Sequence, residues 1–351
     1  MKHWSYNIQR PRAPTLFLAV LCVFSRAGFG DWQHREADIM GTRITVELFH
    51  ADPLIAEQGI DAVMQEMRRI DANMTPYKES SELARINREA HRQAVKTSDE
   101  LYWLIDRSIE FSELTQGAFD ITFASVGFLY DFRRGKRPDQ AQLQAAAGLI
   151  NYRNLVMNAD AHTIGFTRPG VRIDLGGIAK GYAVDRCIQL LQAQGIHNAL
   201  VTAGGDSRMI GDRWGRPWTI GVRDPRRKEG IVALLPLEDV AVSTSGDYER
   251  YFDDHGVRYH HIIDPKSGDS ARELQSVTII GPDATTTDAL STSVFVLGRE
   301  RGMQLVNELP DIDAILVDSG GRLHYSEGLE TAGNMNDNVK TAAEVGQADN
   351  P

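Results

Sequence analysis

The order of strand-like and helix-like segments limits the fold of this chain more than any other feature. Amphipathic helices come early, and strand-like runs then follow one another through the second half with few helices between them. A doubly wound parallel sheet would require strict alternation of the two. The pattern instead predicts an α+β fold with mixed, largely antiparallel sheets and packed helices.

Individual elements are marked by start signals and by the spacing of apolar residues. Helices repeat apolar residues three or four positions apart after a capping residue, whereas strands alternate apolar and polar residues. Helices are predicted to begin at Asp52-Pro53, at Ser98, at about Asp139 (ending at Ala147) and at Ala179 (ending at Gln194). Strands are predicted over Thr42–Leu48, Val171–Leu175, Ala199–Thr202, Thr219–Val222, Ile231–Leu235, Val240–Ser243, Tyr259–Ile263, Ser276–Ile280 and Ala314–Val317.

The first 30 residues have the pattern of an export signal. Lys2, Arg10 and Arg12 precede a short apolar stretch, Leu16–Phe24, and Ser25-Arg26-Ala27 offers a small-x-small cleavage site. A buried first helix or strand is the alternative, but the lack of any acidic residue in this stretch favours the signal. No paired arginines precede the apolar stretch, which favours the general secretory route.

Composition divides the 351 residues into the signal (1–30), one globular domain (31–330) and a polar tail (331–351) that we predict to be disordered. The net charge of −10 becomes about −14 once the four positive charges of the signal are removed, and it gives no support for nucleic-acid binding, which usually leaves a basic footprint. No long apolar span outside the N-terminus suggests a membrane-spanning enzyme. Two cysteines, Cys22 and Cys187, provide no disulfide framework.

The strand-like run from Ser276 leads into a helix that carries the first candidate for chemistry. Pro282 and Asp283 are helix-start signals, and Asp288 and Thr292 lie four positions apart on one helix face. A carboxylate and a hydroxyl one turn apart are hard oxygen donors of the kind that Mg²⁺ prefers. A solvated or capping acid beside a surface threonine is the plainer interpretation, and the pair taken alone favours it.

A glycine turn between a strand and a helix, Asp174–Gly181, is the second candidate. Glycines let a ligand approach the backbone, and a helix N-terminus presents free N–H groups to phosphate. Lys180 adds a positive charge, and Asp174, inside an apolar strand, needs a partner or a ligand. The spacing matches neither a Walker A loop nor G-x-G-x-x-G, so a plain tight turn is equally well supported.

The pair His260-His261 and two aromatic residues complete the candidates. Neighbouring strand residues point to opposite faces, so His261 is expected to share a face and a pocket with Ile263 and is a candidate general base. Tyr77 and Phe119 are candidates to sandwich a flat ring, although isolated aromatic residues more commonly pack in the core.

Taken in order, eight short segments resemble the ApbE family, the FAD:protein FMN transferases. Each is weak alone, but together, at compatible spacing, they are specific and span about Asp38 to Gly298. Thr202 is a departure, because the family often has Asn there. The segments are Met40-Gly41-Thr42, Thr75-Pro76-Tyr77, Gly117–Asp120, Asp174–Gly181, Ala203–Asp206, Ser243–Asp247, His261–Pro265 and Asp288–Thr292.

The resemblance implies a bilobal fold related to the T-fold, with FAD in the cleft between the lobes. The flavin or adenine pocket would be lined by Met40, Tyr77, Ala118, Phe119 and Asp120, and other parts of FAD would contact Asp174, Lys180 and Ile263. Mg²⁺ would be held by the Asp288 carboxylate, the Thr292 side chain, the neighbourhood of Ser291 and the backbone carbonyl of Gly177. His261 would act in the chemistry.

The implied activity is Mg²⁺-dependent transfer of FMN from FAD to a threonine or serine hydroxyl of a partner protein, with release of AMP. His261 or Asp288 would serve as the base. The expected partner is the exposed flavoprotein domain of a membrane electron-transfer system on the periplasmic side. The alternatives are an FAD pyrophosphatase and a non-catalytic periplasmic flavin-binding protein. A serine hydrolase using Ser243 or Ser245 lacks both the G-x-S-x-G and Ser-x-x-Lys groupings.

Overall fold

The computed structural model of the chain describes residues 31–146 and 148–330. Helices α1–α7 cover Pro53–Met74, Glu82–Glu89, Asp99–Leu114, Ala124–Gly127, Gln140–Ala146, Ala179–Ala193 and Ala284–Glu308. Strands β1–β15 cover Gln33–Ile39, Thr42–Phe49, Val95–Lys96, Leu155–Asn158, Thr163–Phe166, Asn198–Ala203, Asp206–Ile210, Trp218–Arg223, Ile231–Leu237, Ala241–Gly246, Tyr251–Asp254, Val257–His260, Leu274–Gly281, Asp313–Asp318 and Leu323–Tyr325.

Several predicted features can be placed relative to these bounds. The predicted signal (1–30), the polar tail (331–351) and Ala147 at the end of the third predicted helix lie outside the described residues, so these three stay predictions. Within the described ranges, no helix is both long enough and apolar enough to cross a membrane.

One eight-stranded sheet forms the centre of the described chain. Its strand order is β1-β2-β6-β7-β10-β13-β14-β15, and every neighbouring pair is antiparallel. Three smaller sheets, β3-β5-β4, β8-β9 and β11-β12, are antiparallel as well. The predicted α+β class with largely antiparallel sheets is therefore confirmed.

Three helices cover one face of the large sheet. Helix α1 packs on β1 and β2, α6 on β6 and β7, and α7 on β10, β13 and β14. The apolar residues of α1 that recur from Ile60 to Ile70 are buried together with Ile44, Val46 and Leu48 of β2. Burying one such side chain contributes about 1.5–3 kcal/mol, so this stripe holds the helix on the sheet.

The β8-β9 hairpin covers part of the opposite face. Trp218 and Val222 of β8 lie in apolar clusters with Met209, Ile280 and Ile315 of the large sheet. All eight residues of β13 are buried. Its side chains alternate between the two faces of the sheet, so burial of all eight requires cover on both faces, by the helices on one and by the hairpin on the other.

Residues 75–175 form a second, smaller part, which contains α2 to α5 and the β3-β5-β4 sheet. Its apolar residues, such as Leu83, Leu104 and Ile164, belong to the same core as those of the large sheet. The predicted bilobal arrangement is therefore present as two parts on one continuous core. The candidate site lies where the two parts meet.

The strand predicted over Val171–Leu175 is wrong. Alternate residues of the segment are buried, as the sequence pattern indicated, but it pairs with no other strand of the described chain. Side chains supply the hydrogen bonds of Arg172 and Ile173 instead. Asn87 bonds both the N–H and the carbonyl of Ile173, at 2.8 and 2.9 Å, and Ser125 does the same for Arg172, at 3.0 and 3.3 Å.

Helices α6 and α7 cap one another. Asp288 of α7 accepts a hydrogen bond from the N–H of Gly181, in the first turn of α6, at 3.0 Å. In return, Asp185 of α6 accepts hydrogen bonds from the N–H groups of Ala284 and Thr285, at 2.9 and 2.8 Å. Because α6 has no side-chain cap of its own, the free N–H groups at its start depend on α7.

The replacement Gly181→Ala is expected to lower the free energy of unfolding by about 1–3 kcal/mol. An added Cβ would collide with the carbonyl oxygen of Ala284, and neither helix can move away without loss of the mutual caps. Gly165→Ala is the matched control, because the nearest atom to its added Cβ would be 3.8 Å away. Urea unfolding followed by circular dichroism measures both variants, and equal stabilities would contradict the prediction.

Candidate functional site

The mutual caps of α6 and α7 bring Lys180, Asp206 and Asp288 together. The Nζ atom of Lys180 lies 2.6 Å from a carboxylate oxygen of Asp206 and 3.2 Å from both carboxylate oxygens of Asp288. Asp206 begins β7, and Lys180 lies in the first turn of α6. Both acidic residues are 2% exposed. The three side chains form a buried ionic network at the junction of sheet and helices.

Charge balance in this network favours the ionised lysine. Burial acts to lower the pKa of Lys180, but the carboxylates of Asp206 and Asp288 outweigh it and raise this pKa above its ordinary value. Burial, followed by the charge of Asp206, raises the pKa of Asp288 against the opposing effect of Lys180. Two carboxylates thus share one ammonium group, and negative charge prevails when both are ionised.

Hydroxyl groups lie beside the ionic network. Thr292 follows Asp288 by one helical turn, as predicted, and a Cβ added to Gly177 would lie 3.2 Å from its Oγ1 atom. The Oγ atom of Ser245 lies 2.8 Å from that of Ser291 and 3.4 Å from Oγ1 of Thr292. The four predicted metal-binding residues are therefore neighbours in the fold.

The chemistry of these donors fits a hard cation. A carboxylate, hydroxyl oxygens and a backbone carbonyl are the ligand types that suit Mg²⁺. Among the residues that the structure describes, no three or more His, Cys, Asp or Glu side chains gather as a metal site. The predicted set contains a single carboxylate, at Asp288, and so would not form such a group. Magnesium binding stays a prediction.

His261 has an unused nitrogen inside the protein. Its Nδ1 atom is buried and has no hydrogen-bond partner among the described residues. His260 differs, because its Nε2 atom lies 2.6 Å from the carbonyl oxygen of Ala271 and the residue is 3% exposed. Burial, followed by the charges of His260 and Arg250, lowers the pKa of His261 to about 3. The ring is therefore neutral at pH 7.

His261 is positioned by the segment after a strand, and not by the strand that we predicted for it. The strand predicted over Tyr259–Ile263 ends at His260, because its partner strand β11 begins at Tyr251, opposite that residue. Beyond the strand, the N–H of His261 donates to the carbonyl oxygen of Arg250 at 3.1 Å. The argument from alternating strand faces therefore does not extend to His261 and Ile263.

The two predicted aromatic residues have different environments. Tyr77 is 71% exposed, its ring meets that of Phe128 edge-on at 5.8 Å, and its hydroxyl lies 3.5 Å from a carboxylate oxygen of Asp174. Phe119 is 3% exposed and lies against Gly177. Tyr77 is therefore open to stack on a ligand, whereas Phe119 belongs to the core and supports the glycine turn.

Ala118, Asp120 and Ile263, three other predicted FAD contacts, lie in the protein interior. Asp120 accepts hydrogen bonds from the N–H groups of Thr122 and Tyr152, at 2.8 and 2.7 Å, so its carboxylate caps a turn. Ile263 is 4% exposed in a separate apolar cluster. Their roles in FAD binding stay predictions.

Met40 and Gly41 form a tight turn at another side of the site. Both have positive φ angles, 55° and 69°, and they join β1 to β2 as a two-residue hairpin turn. This conformation is unfavourable for methionine and is common at functional positions. A Cβ added to Gly41 would lie 3.2 Å from a guanidinium nitrogen of Arg250, and Thr42 packs against Gly204 between β6 and β7.

Asp206 and Arg250 belong to the site, although the sequence assigned neither of them a role there. Asp206 had a local signal, since it is the acid that ends a strand-to-glycine turn. Arg250 had none, because its position beside Gly41 and His261 arises from contacts between segments far apart in the chain.

The chain resembles known proteins over most of its length. Residues 40–316 match the ApbE family. The chain belongs to the ApbE family. It is 33% identical over 310 residues to the FAD:protein FMN transferase of Treponema pallidum, covering 83% of this chain and 86% of that protein. For the protein of the same name from Vibrio cholerae the identity is 31%, with coverages of 85% and 91%.

Solved structures of this family share the fold. The ApbE protein of Thermotoga maritima is 36% identical, with a TM-score of 0.79, and the flavin transferase ApbE of Vibrio cholerae is 28% identical, with a TM-score of 0.77. Each comparison covers 86% of this chain and 99% of the other. The predicted family, the predicted fold and the prediction that the chain is an enzyme, a transferase, are confirmed.

Acid is expected to destabilise the protein partly through His261. The pKa of this side chain is lowered to about 3 from an ordinary 6.5. Between those values the unfolded chain binds more protons, so stability falls as the pH decreases through that range. His261→Gln removes this effect, which amounts to at most about 2 kcal/mol at about pH 5.

Urea unfolding of the wild type and His261→Gln, at about pH 7.5 and about pH 5, measures this contribution. The variant should lose less stability than the wild type on acidification. A difference between the two proteins that is the same at both pH values would contradict the pKa direction.

Proposed function

We propose that this protein transfers FMN from FAD to a serine or threonine hydroxyl of a partner protein and releases AMP, with Mg²⁺ as the required ion. The main support for the proposal is that three features lie at one site. They are the exposed ring of Tyr77, the ionic network around Lys180, and the ring nitrogen of His261 that has no partner among the described residues. The family relatives named FAD:protein FMN transferase support it.

Tyr77 is the residue best placed to bind the flavin or adenine ring of FAD. Its ring is exposed on one side and supported by Phe128 on another, so that a planar ligand can stack on it without rearrangement of the core. Asp174 lies near the tyrosine hydroxyl and limits its orientation. The ring would hold FAD at the entrance, with its phosphates toward Lys180.

Asp288, Thr292 and the carbonyl of Gly177, near Ser291, would hold Mg²⁺. When bound, the ion would neutralise charge on the FAD phosphates during phosphoryl transfer. Lys180 is also bound by Asp206, so a cation at Asp288 would not leave the ammonium without a partner. We infer that Asp206 keeps Lys180 in place when Asp288 takes a metal.

The proposed reaction is one displacement at phosphorus. The acceptor hydroxyl oxygen forms a bond to the phosphorus on the riboflavin side, and the bond from that phosphorus to the bridging oxygen breaks. The bridging oxygen leaves with the electron pair as part of AMP, and the hydroxyl proton passes to a base.

His261 is the better candidate for that base. Its ring is neutral and has a free nitrogen, whereas the Asp288 carboxylate already accepts from Lys180 and Gly181. A ring with a pKa near 3 is a weak base, but the negative charge of a pyrophosphate nearby would raise this pKa toward the working range.

We also propose that the protein works in the periplasm on the exposed flavoprotein domain of a membrane electron-transfer protein. The support is the signal-like pattern of residues 1–30. Fractionation of cells that express the full chain tests this location. Recovery of processed protein in the cytoplasm alone would refute it.

Intact-mass measurement of a candidate acceptor domain, incubated with the protein, FAD and Mg²⁺, tests the activity. The expected result is a mass gain that matches FMN, with AMP released in equal amount. Free FMN and AMP beside an unmodified acceptor would indicate the pyrophosphatase instead. Unchanged FAD bound to the protein would indicate a flavin-binding protein without turnover.

Asp288→Ala is expected to reduce FMN transfer in this assay by about a hundredfold or more, because the site loses its predicted metal carboxylate. Glu300→Ala, an exposed acid on the same helix, is the matched control and should react like the wild type. Thermal unfolding confirms that each variant is folded. Normal transfer by a folded Asp288→Ala protein would contradict the metal assignment.

A further inference from the structure

Arg250 is a positively charged side chain at the site that lacks a charged partner. It is exposed, and within residues 31–146 and 148–330 it makes neither an ion pair nor a side-chain hydrogen bond. Nearby arginines differ, because Arg223, Arg226 and Arg258 are bound by Glu249, Asp247 and Asp253, at 3.2, 2.6 and 3.2 Å. Because these neighbouring arginines are paired, we looked to the position of Arg250 to explain why it is not.

One backbone hydrogen bond and one side-chain contact define the position of Arg250. Its carbonyl oxygen accepts the N–H of His261 at 3.1 Å, just beyond the β11-β12 ladder. Its guanidinium group lies over the Met40-Gly41 turn, where a Cβ on Gly41 would be 3.2 Å away. The guanidinium therefore lies beside the hairpin turn, and its positive charge is close enough to help lower the pKa of His261.

The charge of Arg250 also affects the pKa of Asp174, an acid at the proposed FAD position. Burial raises the pKa of Asp174, and the charge of Arg250 opposes this increase. Arg250 therefore lies near Asp174, His261 and the Met40-Gly41 turn, three features around the proposed FAD position.

The proposed substrate needs positive charge at this place. The pyrophosphate of FAD is dianionic, and the ammonium of Lys180 is already outnumbered by the carboxylates of Asp206 and Asp288. Arginine presents a planar fork of N–H donors that matches two phosphate oxygens at once. Lys180 and Arg250 both act on the charge of Asp174, and of these two cations Arg250 is the one without a carboxylate partner among the described residues. Arg172, which also lacks an ion pair there, lies over the ring of Phe128 instead, with its Cζ atom 5.2 Å from the ring centroid.

We propose that Arg250 binds the pyrophosphate of FAD, across the site from Lys180. This assignment rests on the proposed function, since it takes FAD as the ligand. Arg250 would contribute to the affinity for any flavin that carries this diphosphate and would contribute nothing to the affinity for riboflavin, which lacks phosphate.

The test compares FAD and riboflavin binding to the folded full chain and its variants by flavin fluorescence, at fixed Mg²⁺ and ionic strength. Arg250→Gln is expected to weaken FAD binding by about tenfold to a hundredfold and to leave riboflavin binding unchanged. Arg250→Lys, which keeps the charge but not the fork, should fall between the wild type and Arg250→Gln.

Arg68→Gln is the matched control. Arg68 is an exposed arginine of α1 that lies beside Arg35 and Glu36 of β1, outside the site, and its loss should not change FAD affinity. The salt dependence of FAD binding should be smaller in Arg250→Gln than in the wild type or the control, because one phosphate contact is missing.

Three results would overturn the proposal. FAD affinity within about twofold of wild type in Arg250→Gln would show that the guanidinium does not contact the ligand. Equal losses for FAD and riboflavin would indicate a disturbed pocket, and unchanged FAD binding with weaker use of the acceptor would assign Arg250 to the partner protein. Wild-type protein that binds FAD but modifies no acceptor would refute the proposed function and leave this binding test intact.

Discussion

Asp288 of α7 and Asp185 of α6 each accept N–H groups from the start of the other helix, and the geometry of the site depends on this exchange. The two helix starts must meet closely, which is possible because residue 181 is a glycine. Asp185 is also bound by Arg208 of β7 at 2.6 Å, so the helix pair is tied to the sheet. A shift of either helix would leave free N–H groups without acceptors.

The exchange explains why acidic groups can be buried at the site. A buried carboxylate is costly unless it is paired, and loss of one partner of a buried ion pair costs about 3–5 kcal/mol. Asp288 has the N–H of Gly181 and the ammonium of Lys180, and Lys180 is bound a second time by Asp206. Capping, charge pairing and the proposed metal site therefore use the same few atoms, and contacts within the protein orient these side chains.

Local patterns predicted the features that depend on neighbours in sequence. Asp283 caps α7, and Asp288 and Thr292 lie on one face, because helix geometry alone sets both relations. Ser98 begins α3 for the same reason. The strand predicted over Val171–Leu175 failed because a strand needs a partner. Alternating apolar residues indicate which side chains are buried, but they do not show that a partner strand is present. Here the side chains of Asn87 and Ser125 provide hydrogen bonds in place of a neighbouring strand.

Contacts between distant segments decided the rest of the site. Tyr77 and Phe119 look alike as isolated aromatic residues, yet one is open at the site and the other is buried against Gly177. Arg250 carries no local motif, and its place over the Met40-Gly41 turn exists only once β1, β2 and the β11-β12 hairpin are assembled.

Motif order and short-range periodicity were enough to predict the family, the α+β class and the placement of Asp288 and Thr292 on one helix face. Only the assembled fold shows that Asp206 shares Lys180, that Asp185 caps the helix of Asp288 in return, and that His261 has a ring nitrogen without a partner among the described residues. The two groups of features differ in how far apart along the chain the interacting residues lie. Capping and alternation act over a few residues, whereas burial and charge pairing depend on which distant side chains exclude water from one another.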